Sequence, residues 1–162
     1  MAVATIRRMP APDDDISIPA LLRAARGVYA QSIRWHLLAE GYDDIPRNGP
    51  FVLGGMTNWG GSATDMLGGL GVTRQAASQL VDILVLRGYL SRGVNADDRR
   101  RITIELTPRG HAAGEAVRAG VQAIDEQLAA RVSAADLAGL RAGLTALTEI
   151  GRERHDAGPG GH

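Results

Sequence analysis

Residues 67–110 read LGGLGVTRQAASQLVDILVLRGYLSRGVNADDRRRITIELTPRG. The first part of this stretch has two apolar helical segments separated by a glycine. Gly71 lies where a tight turn requires a positive φ, which glycine adopts without steric cost. Thr73 suits an N-cap, because its hydroxyl can accept a hydrogen bond from an amide of the helix that follows. The order predicts two helices joined by a tight turn.

The second of these helices, 74–87, sorts its side chains with a period of 3.6 residues. Its apolar face consists of Ala77, Leu80, Val81 and Leu84. Arginine and glutamine in the first turn of such a helix can bind guanine and adenine bidentately. The candidate DNA-contacting residues are Thr73, Arg74, Gln75, Ala76, Ser78, Gln79 and Asp82. From this segment alone, a plain solvated helix face stays open as the alternative.

A charged hairpin follows, with strands predicted over 89–92 and 101–106. Its loop ends in three consecutive arginines, whose mutual repulsion an anionic partner would relieve. A projecting arginine also suits the narrow minor groove of DNA. The candidate DNA-contacting residues of this wing are Asn95, Asp98, Arg99, Arg100 and Arg101. The predicted fold is mainly α with a small β-hairpin wing, a winged helix-turn-helix flanked by N- and C-terminal dimerisation helices.

The run DDRRRITIELTPRG resembles the wing signature of the MarR family of bacterial transcription regulators. The matching positions are Asp98, Arg100, Leu106, Thr107 and Gly110. Upstream, the helix-turn-helix of the family is matched in length and at Leu70, Gly71, Val72, Leu80, Val81, Asp82, Leu84 and Gly88. The resemblance covers 62–110. The departures from the family pattern are Gly68 and Gly69, in place of polar helix formers, and the apolar Ile83 and Leu86 on the second helix.

The resemblance implies a homodimer that binds double-stranded DNA, with one recognition helix per subunit in successive major grooves. Arg100 would enter the flanking minor groove, with Asp98 holding its side chain; for Asp98, a simple turn former is the alternative. The resemblance also implies a cleft for a small aromatic or phenolic acid effector. Its candidate lining residues are Tyr29, Trp35, His36, Arg47, Met56 and Trp59. Ordinary core packing is the alternative for these side chains.

Helical patterns flank this module on both sides. We predict a long helix over 18–40, a short one around 51–56, and a helix that begins after Thr107 with Pro108 in its first turn. Ser133 and Asp136 indicate a capping box before a leucine seam. The predicted divisions are a disordered arm (1–15), the first dimerisation helix with its connection (16–58), the DNA-binding module (59–107), the C-terminal dimerisation helices (108–154) and a flexible tail (155–162). Packing of the same seams within a monomer is the alternative.

Composition limits the other function classes. The 162 residues have a net charge of zero, all 18 basic residues are arginine, and cysteine is absent. This excludes chemistry that needs a lysine amine or a thiol, and the scattered histidines favour no metal site or cofactor. We expect a cytoplasmic protein with no membrane segment and no enzymatic activity. Over 73–110, seven arginines against four acidic residues give +3. Overall neutrality keeps a winged-helix protein-interaction module as the alternative function.

Overall fold

The computed structural model describes residues 16–59, 73–94 and 102–156. The elements within these ranges are α1 (Ile18–Ala39), α2 (Gly49–Trp59), α3 (Arg74–Leu86), β1 (Leu90–Val94), β2 (Ile102–Leu106), α4 (Pro108–Ala129) and α5 (Ala134–Asp156). The predictions of a disordered arm, of a helix and turn before Thr73, and of the wing tip over 95–101 lie outside the described residues, as do the last six residues of the predicted tail.

The helix α2 is longer than the sequence pattern predicted. It begins at Gly49 rather than Phe51 and continues to Trp59. Pro50 is tolerated because the first turn of a helix needs no amide at that position. Gly54 lies inside the helix, where an added Cβ would be 2.8 Å from Cγ1 of Val117 on α4. Here glycine allows two helices to pack closely and does not end the helix.

The helix α3 has the predicted cap and the predicted apolar face. The Thr73 hydroxyl accepts a hydrogen bond from the Ala76 amide at 3.2 Å. Ala77, Val81 and Leu84 are buried. They belong to one hydrophobic core whose other members are Leu37, Val52, Leu53, Tyr89, Leu90, Ala113, Ala116 and Val117. The core thus joins α3 and the start of the hairpin to α1, α2 and α4.

The hairpin follows α3 after a short turn. Gly88 has φ of +73°, a conformation that favours glycine, and the Tyr89 amide donates to the Leu84 carbonyl at 2.9 Å. The strands β1 and β2 pair antiparallel in a register that runs from Leu90 opposite Leu106 to Val94 opposite Ile102. Ile104 and Leu106 pack against the core while Glu105 is exposed. This confirms the predicted alternation on these residues of β2.

The helix α4 approaches its neighbours through glycines. A Cβ at Gly114 would lie 2.0 Å from Oγ1 of Thr57 on α2, and one at Gly120 would lie 2.6 Å from Cα of Ile33 on α1. The Ser32 hydroxyl donates to the Gly120 carbonyl at 2.8 Å. Because the contacts at Gly120 involve backbone atoms, a larger side chain there would force the two helices apart.

The chain divides into two compact units after Gly120. In the second unit, the predicted capping box at the start of α5 is confirmed. The Asp136 amide donates to Oγ of Ser133, and the Ser133 amide donates to Oδ2 of Asp136, each at 3.2 Å. The predicted seam is exposed at Leu140, Leu144 and Leu147. Within the described ranges, every helix is too short or too polar to cross a bilayer.

Candidate nucleic-acid interface

The polar face of α3 is open to solvent along its whole length. The exposed residues on it include all seven that the sequence selected, namely Thr73, Arg74, Gln75, Ala76, Ser78, Gln79 and Asp82. The opposite face of the same helix is fixed in the core by Ala77, Val81 and Leu84. The helix therefore presents hydrogen-bonding side chains on a rigid support, which is the arrangement that direct reading of base edges requires.

One member of this face has a partner within the protein. Asp82 forms an ion pair with Arg92 of β1, and both side chains are about half exposed. The pair joins α3 to the first strand of the hairpin. It also compensates the negative charge of this carboxylate on the polar face of α3. The structure thus links Asp82 to the hairpin, a contact that periodicity in the sequence could not indicate. The DNA contact expected of Asp82 stays a prediction.

The hairpin strands extend from the core toward the predicted wing tip. The last described pair is Val94 opposite Ile102. Asn95, Asp98, Arg99, Arg100 and Arg101 belong to the segment outside the described residues, so their DNA-contacting role stays a prediction. The described strands lie beside α3, because Leu90 is buried in the same core as Leu84.

A cluster of three side chains locks the α1–α2 connection to the hairpin. Tyr89 donates a short hydrogen bond to Oδ1 of Asp44. Nη2 of Arg109 donates to the same oxygen at 3.1 Å and to the Tyr89 hydroxyl at 3.0 Å. The Arg109 guanidinium also lies 4.6 Å from the centre of the Tyr89 ring and 5.9 Å from that of Tyr42, within reach of cation–π attraction. The cluster holds together residues far apart in the sequence.

The electrostatics of this cluster follow from its hydrogen bonds and burial. The bond from Tyr89, supported by the charge of Arg109, lowers the pKa of Asp44 below its ordinary 3.8. Burial raises the pKa of the Tyr89 hydroxyl, and its bond to the Asp44 carboxylate raises it further. The bond to Tyr89 raises the pKa of Arg109. At neutral pH, Asp44 thus stays ionised, the Tyr89 hydroxyl stays protonated and Arg109 stays positively charged.

Replacing Asp44 should therefore reduce stability in a pH-dependent way. Because the folded protein lowers this pKa, the carboxylate stabilises the fold above about pH 4, and the contribution is lost as the pH falls through the folded value. We expect Asp44→Asn to lower the free energy of unfolding by about 1 kcal/mol at pH 7, since its side chain is 39% exposed. Urea titrations from pH 7 to pH 3 measure the difference from wild type, which should shrink in acid. Asp43→Asn, at the exposed neighbouring carboxylate, is the control; an equal loss there would contradict the assignment.

The candidate effector residues that the structure describes have different surroundings. Trp35 is 72% exposed, and its ring forms a T-shaped pair with that of His36, with the ring centres 6.3 Å apart. Met56 packs against the core, and Tyr29 is half-buried on α1. Arg47 lines a groove with residues of α3, and the described side chains of Tyr29, Trp35, His36 and Met56 are not part of that lining. The shared effector pocket stays a prediction, while Arg47 belongs beside the polar face of α3.

The arginines near α3 differ in whether an acidic side chain binds them. Of the arginines counted over 73–110, Arg92 is paired with Asp82 and Arg109 with Asp44. Arg74 and Arg87 remain exposed on or beside α3. Arg47 also lies close to α3 in space, although it is 27 residues before Arg74 in the chain. Among the described residues near α3, Arg47, Arg74 and Arg87 therefore supply exposed positive charge that none of the described ion pairs compensates.

No protein-family model and no curated protein matches the sequence. Solved structures do match. The complex of MepR from S. aureus with DNA has a TM-score of 0.66 at 23% identity, covering 84% of this chain and 99% of that one. MepR in its DNA-binding conformation gives 0.68 at 23% identity, covering 83% and 98%. NadR in complex with 4-hydroxyphenylacetate gives 0.65 at 20% identity, covering 88% and 99%. The chain therefore has the winged helix fold of MepR and NadR, which are regulators of the MarR family.

Proposed function

We propose that the protein is a transcription regulator of the MarR family that binds duplex DNA through the polar face of α3. The observation that carries this proposal is the exposure of Arg74, Gln75, Ser78 and Gln79 on a helix whose other face is fixed in the core. These side chains have the donors and acceptors that base edges in the major groove pair with. The likeness to MepR bound to DNA supports this function.

The regulator acts as a homodimer on an inverted repeat. Apolar side chains lie exposed on α1 and α5, two of the helices that the sequence pattern assigned to dimerisation. They are Ile18, Leu21, Leu22, Val28, Leu140, Leu144, Leu147 and Ile150. Monomeric proteins rarely leave such rows uncovered, and a second copy would bury them. Two-fold symmetry then places the two α3 helices on half-sites about one helical turn apart.

The remaining parts of the proposal concern the wing and the effector. Arg100 enters the minor groove, held by Asp98, and the protein represses its target until a small molecule releases it. The complex of NadR with 4-hydroxyphenylacetate supports an aromatic acid as the class of effector. Titration with 4-hydroxyphenylacetate, followed by release of labelled DNA, tests this part separately from DNA binding.

Loss of single base-reading side chains should relax sequence preference. We expect Arg74→Ala or Gln75→Ala to weaken binding to the preferred duplex by about 1 to 3 kcal/mol, with a much smaller effect on a scrambled duplex. Fluorescence anisotropy on labelled intergenic DNA beside the gene measures both. Arg118→Ala, which removes a surface arginine paired with Glu115 on α4, should change neither affinity. Equal weakening of both duplexes by the α3 variants would contradict base reading.

A second function is favoured by one observation. Leu86 is 86% exposed and Ile83 is also open at the C-terminal half of α3. Such a patch suits a protein partner better than a sugar-phosphate backbone. A protein-interaction module of this kind would keep partner binding in Arg100→Ala and lose it in Leu86→Asp. In the proposed regulator, Arg100→Ala lowers the affinity for DNA and Leu86→Asp leaves it unchanged, because Arg100 contacts DNA and Leu86 does not.

A further inference from the structure

Residues 46–49 form a turn that is held against α3. The Gly49 amide donates to the Pro46 carbonyl at 2.7 Å, which closes the turn. Gly49 is buried, and a Cβ there would lie 2.5 Å from Cγ2 of Ile45 and 3.3 Å from Cδ2 of Leu84 on α3. Ile45 itself packs against the core. The turn therefore keeps a fixed position relative to the polar face of α3.

A groove of about 240 Å³ separates this turn from the helix. Its lining consists of Pro46, Arg47 and Asn48 on one side and Ala76, Gln79, Leu80 and Ile83 on the other. Arg47 is the one charged residue in this lining. Gln79 belongs to the polar face proposed to read bases. The groove thus brings a cationic side chain to the edge of that face.

The Arg47 guanidinium has no partner among the described residues. Its side chain is exposed, and neither a hydrogen bond nor an ion pair joins it to another described side chain or backbone group. Arg92 and Arg109 differ, because Asp82 and Asp44 bind them. An unpaired guanidinium offers its full set of donors to an anion, and its planar fork matches two phosphate oxygens.

From this geometry we infer that Arg47, assisted by Asn48, binds a backbone phosphate of the DNA whose bases α3 reads. The inference rests on the proposed DNA-binding function and extends its surface onto the α1–α2 connection. A helix that reads bases needs phosphate contacts beside it to fix its register on the duplex. The turn supplies such a contact from outside the helix-turn-helix and the wing, and its rigidity makes the contact preorganised.

The test compares Arg47→Ala, Arg47→Lys and Arg118→Ala with wild type on a preferred and a scrambled duplex over a range of salt concentrations. A phosphate contact carries no sequence information, so Arg47→Ala should weaken both duplexes about equally, by roughly 3- to 10-fold. The slope of log affinity against log salt should decrease in magnitude by about 1, because one fewer counterion is released. Arg47→Lys should retain most of the affinity, since an ammonium also binds phosphate as a point charge. Arg118→Ala should match wild type.

A scan of the preferred duplex with single neutral methylphosphonates locates the contact. One position should weaken wild type and leave Arg47→Ala unaffected. Unchanged affinity and salt slope in Arg47→Ala would overturn the inference while leaving DNA binding by α3 intact. If Arg47→Ala lowered the affinity for the preferred duplex only, the inference would also be overturned, because Arg47 would then contact a base and not a phosphate. Salt-independent or absent binding by wild type would instead overturn the proposed function, and the inference with it. Circular dichroism melting confirms that each variant is folded.

Discussion

Gly110→Ala should lower the free energy of unfolding by about 3 kcal/mol. The added Cβ would lie 2.0 Å from the carbonyl oxygen of Tyr89 and 3.1 Å from Cδ2 of Leu106. The first contact is with backbone, so it can be relieved only by moving α4 away from the start of the hairpin. Intrinsic helix propensity alone favours alanine over glycine by about 0.5 to 1 kcal/mol. A loss of stability in Gly110→Ala would therefore have to come from the contact with Tyr89. Denaturant titration at fixed protein concentration measures it.

Gly139→Ala is the matched control for this change. Gly139 is also inside a helix, and a Cβ there meets no atom within 4 Å among the described residues. Alanine should therefore raise the free energy of unfolding by about 0.5 to 1 kcal/mol. If both variants were stabilised alike, the Tyr89 carbonyl would not lie against α4, and the described junction of hairpin and helix would be wrong.

The second large effect concerns the proposed dimer. Leu144→Glu should give a monomer and lower the affinity for a duplex with two half-sites by about 100-fold or more. Leu144 lies at the middle of the exposed row Leu140, Leu144 and Leu147 on α5. A carboxylate buried against a second copy loses its hydration without an opposite charge in return. Separation of the subunits then removes the gain in affinity that comes from binding both half-sites at once.

Light scattering after size exclusion gives the mass, and anisotropy gives the affinity. Ala142→Glu places the same charge on an exposed position about half a turn away from the leucine row, so it should leave both the mass and the affinity unchanged. If Leu144→Glu remained a dimer and bound DNA as wild type does, α5 would not be part of the interface. If the wild-type protein were a monomer, the proposed dimer would be wrong.

Local features of the fold could be predicted from the sequence because they depend on residues close together in the chain. Thr73 caps α3 through an amide three residues away, and Ser133 with Asp136 forms a capping box of the same span. The apolar face of α3 follows from its period of 3.6 residues. In each case the residue types and their spacing contain the whole interaction.

Contacts between distant segments could not be predicted in this way. Asp44 meets Tyr89 across 45 residues and Arg109 across 65 residues. The connection that contains Asp44 and Arg47 has no periodic pattern, so the sequence suggested only a loop. The predicted helix around 51–56 already contained Gly54, but the close approach of Val117 on α4 to that glycine could not be predicted from spacing. Both results depend on tertiary packing, which residue spacing does not record.

Selection from a library of random-sequence duplexes tests DNA reading by α3 most directly, since it requires no knowledge of the natural site. The wild-type protein should enrich an inverted repeat with half-sites about ten base pairs apart. The Gln75→Ala variant should enrich a repeat with at least one position relaxed in each half-site. DNA reading by α3 would be contradicted if the wild-type protein enriched no sequence. It would also be contradicted if variants at both Arg74 and Gln75 enriched the same repeat as wild type.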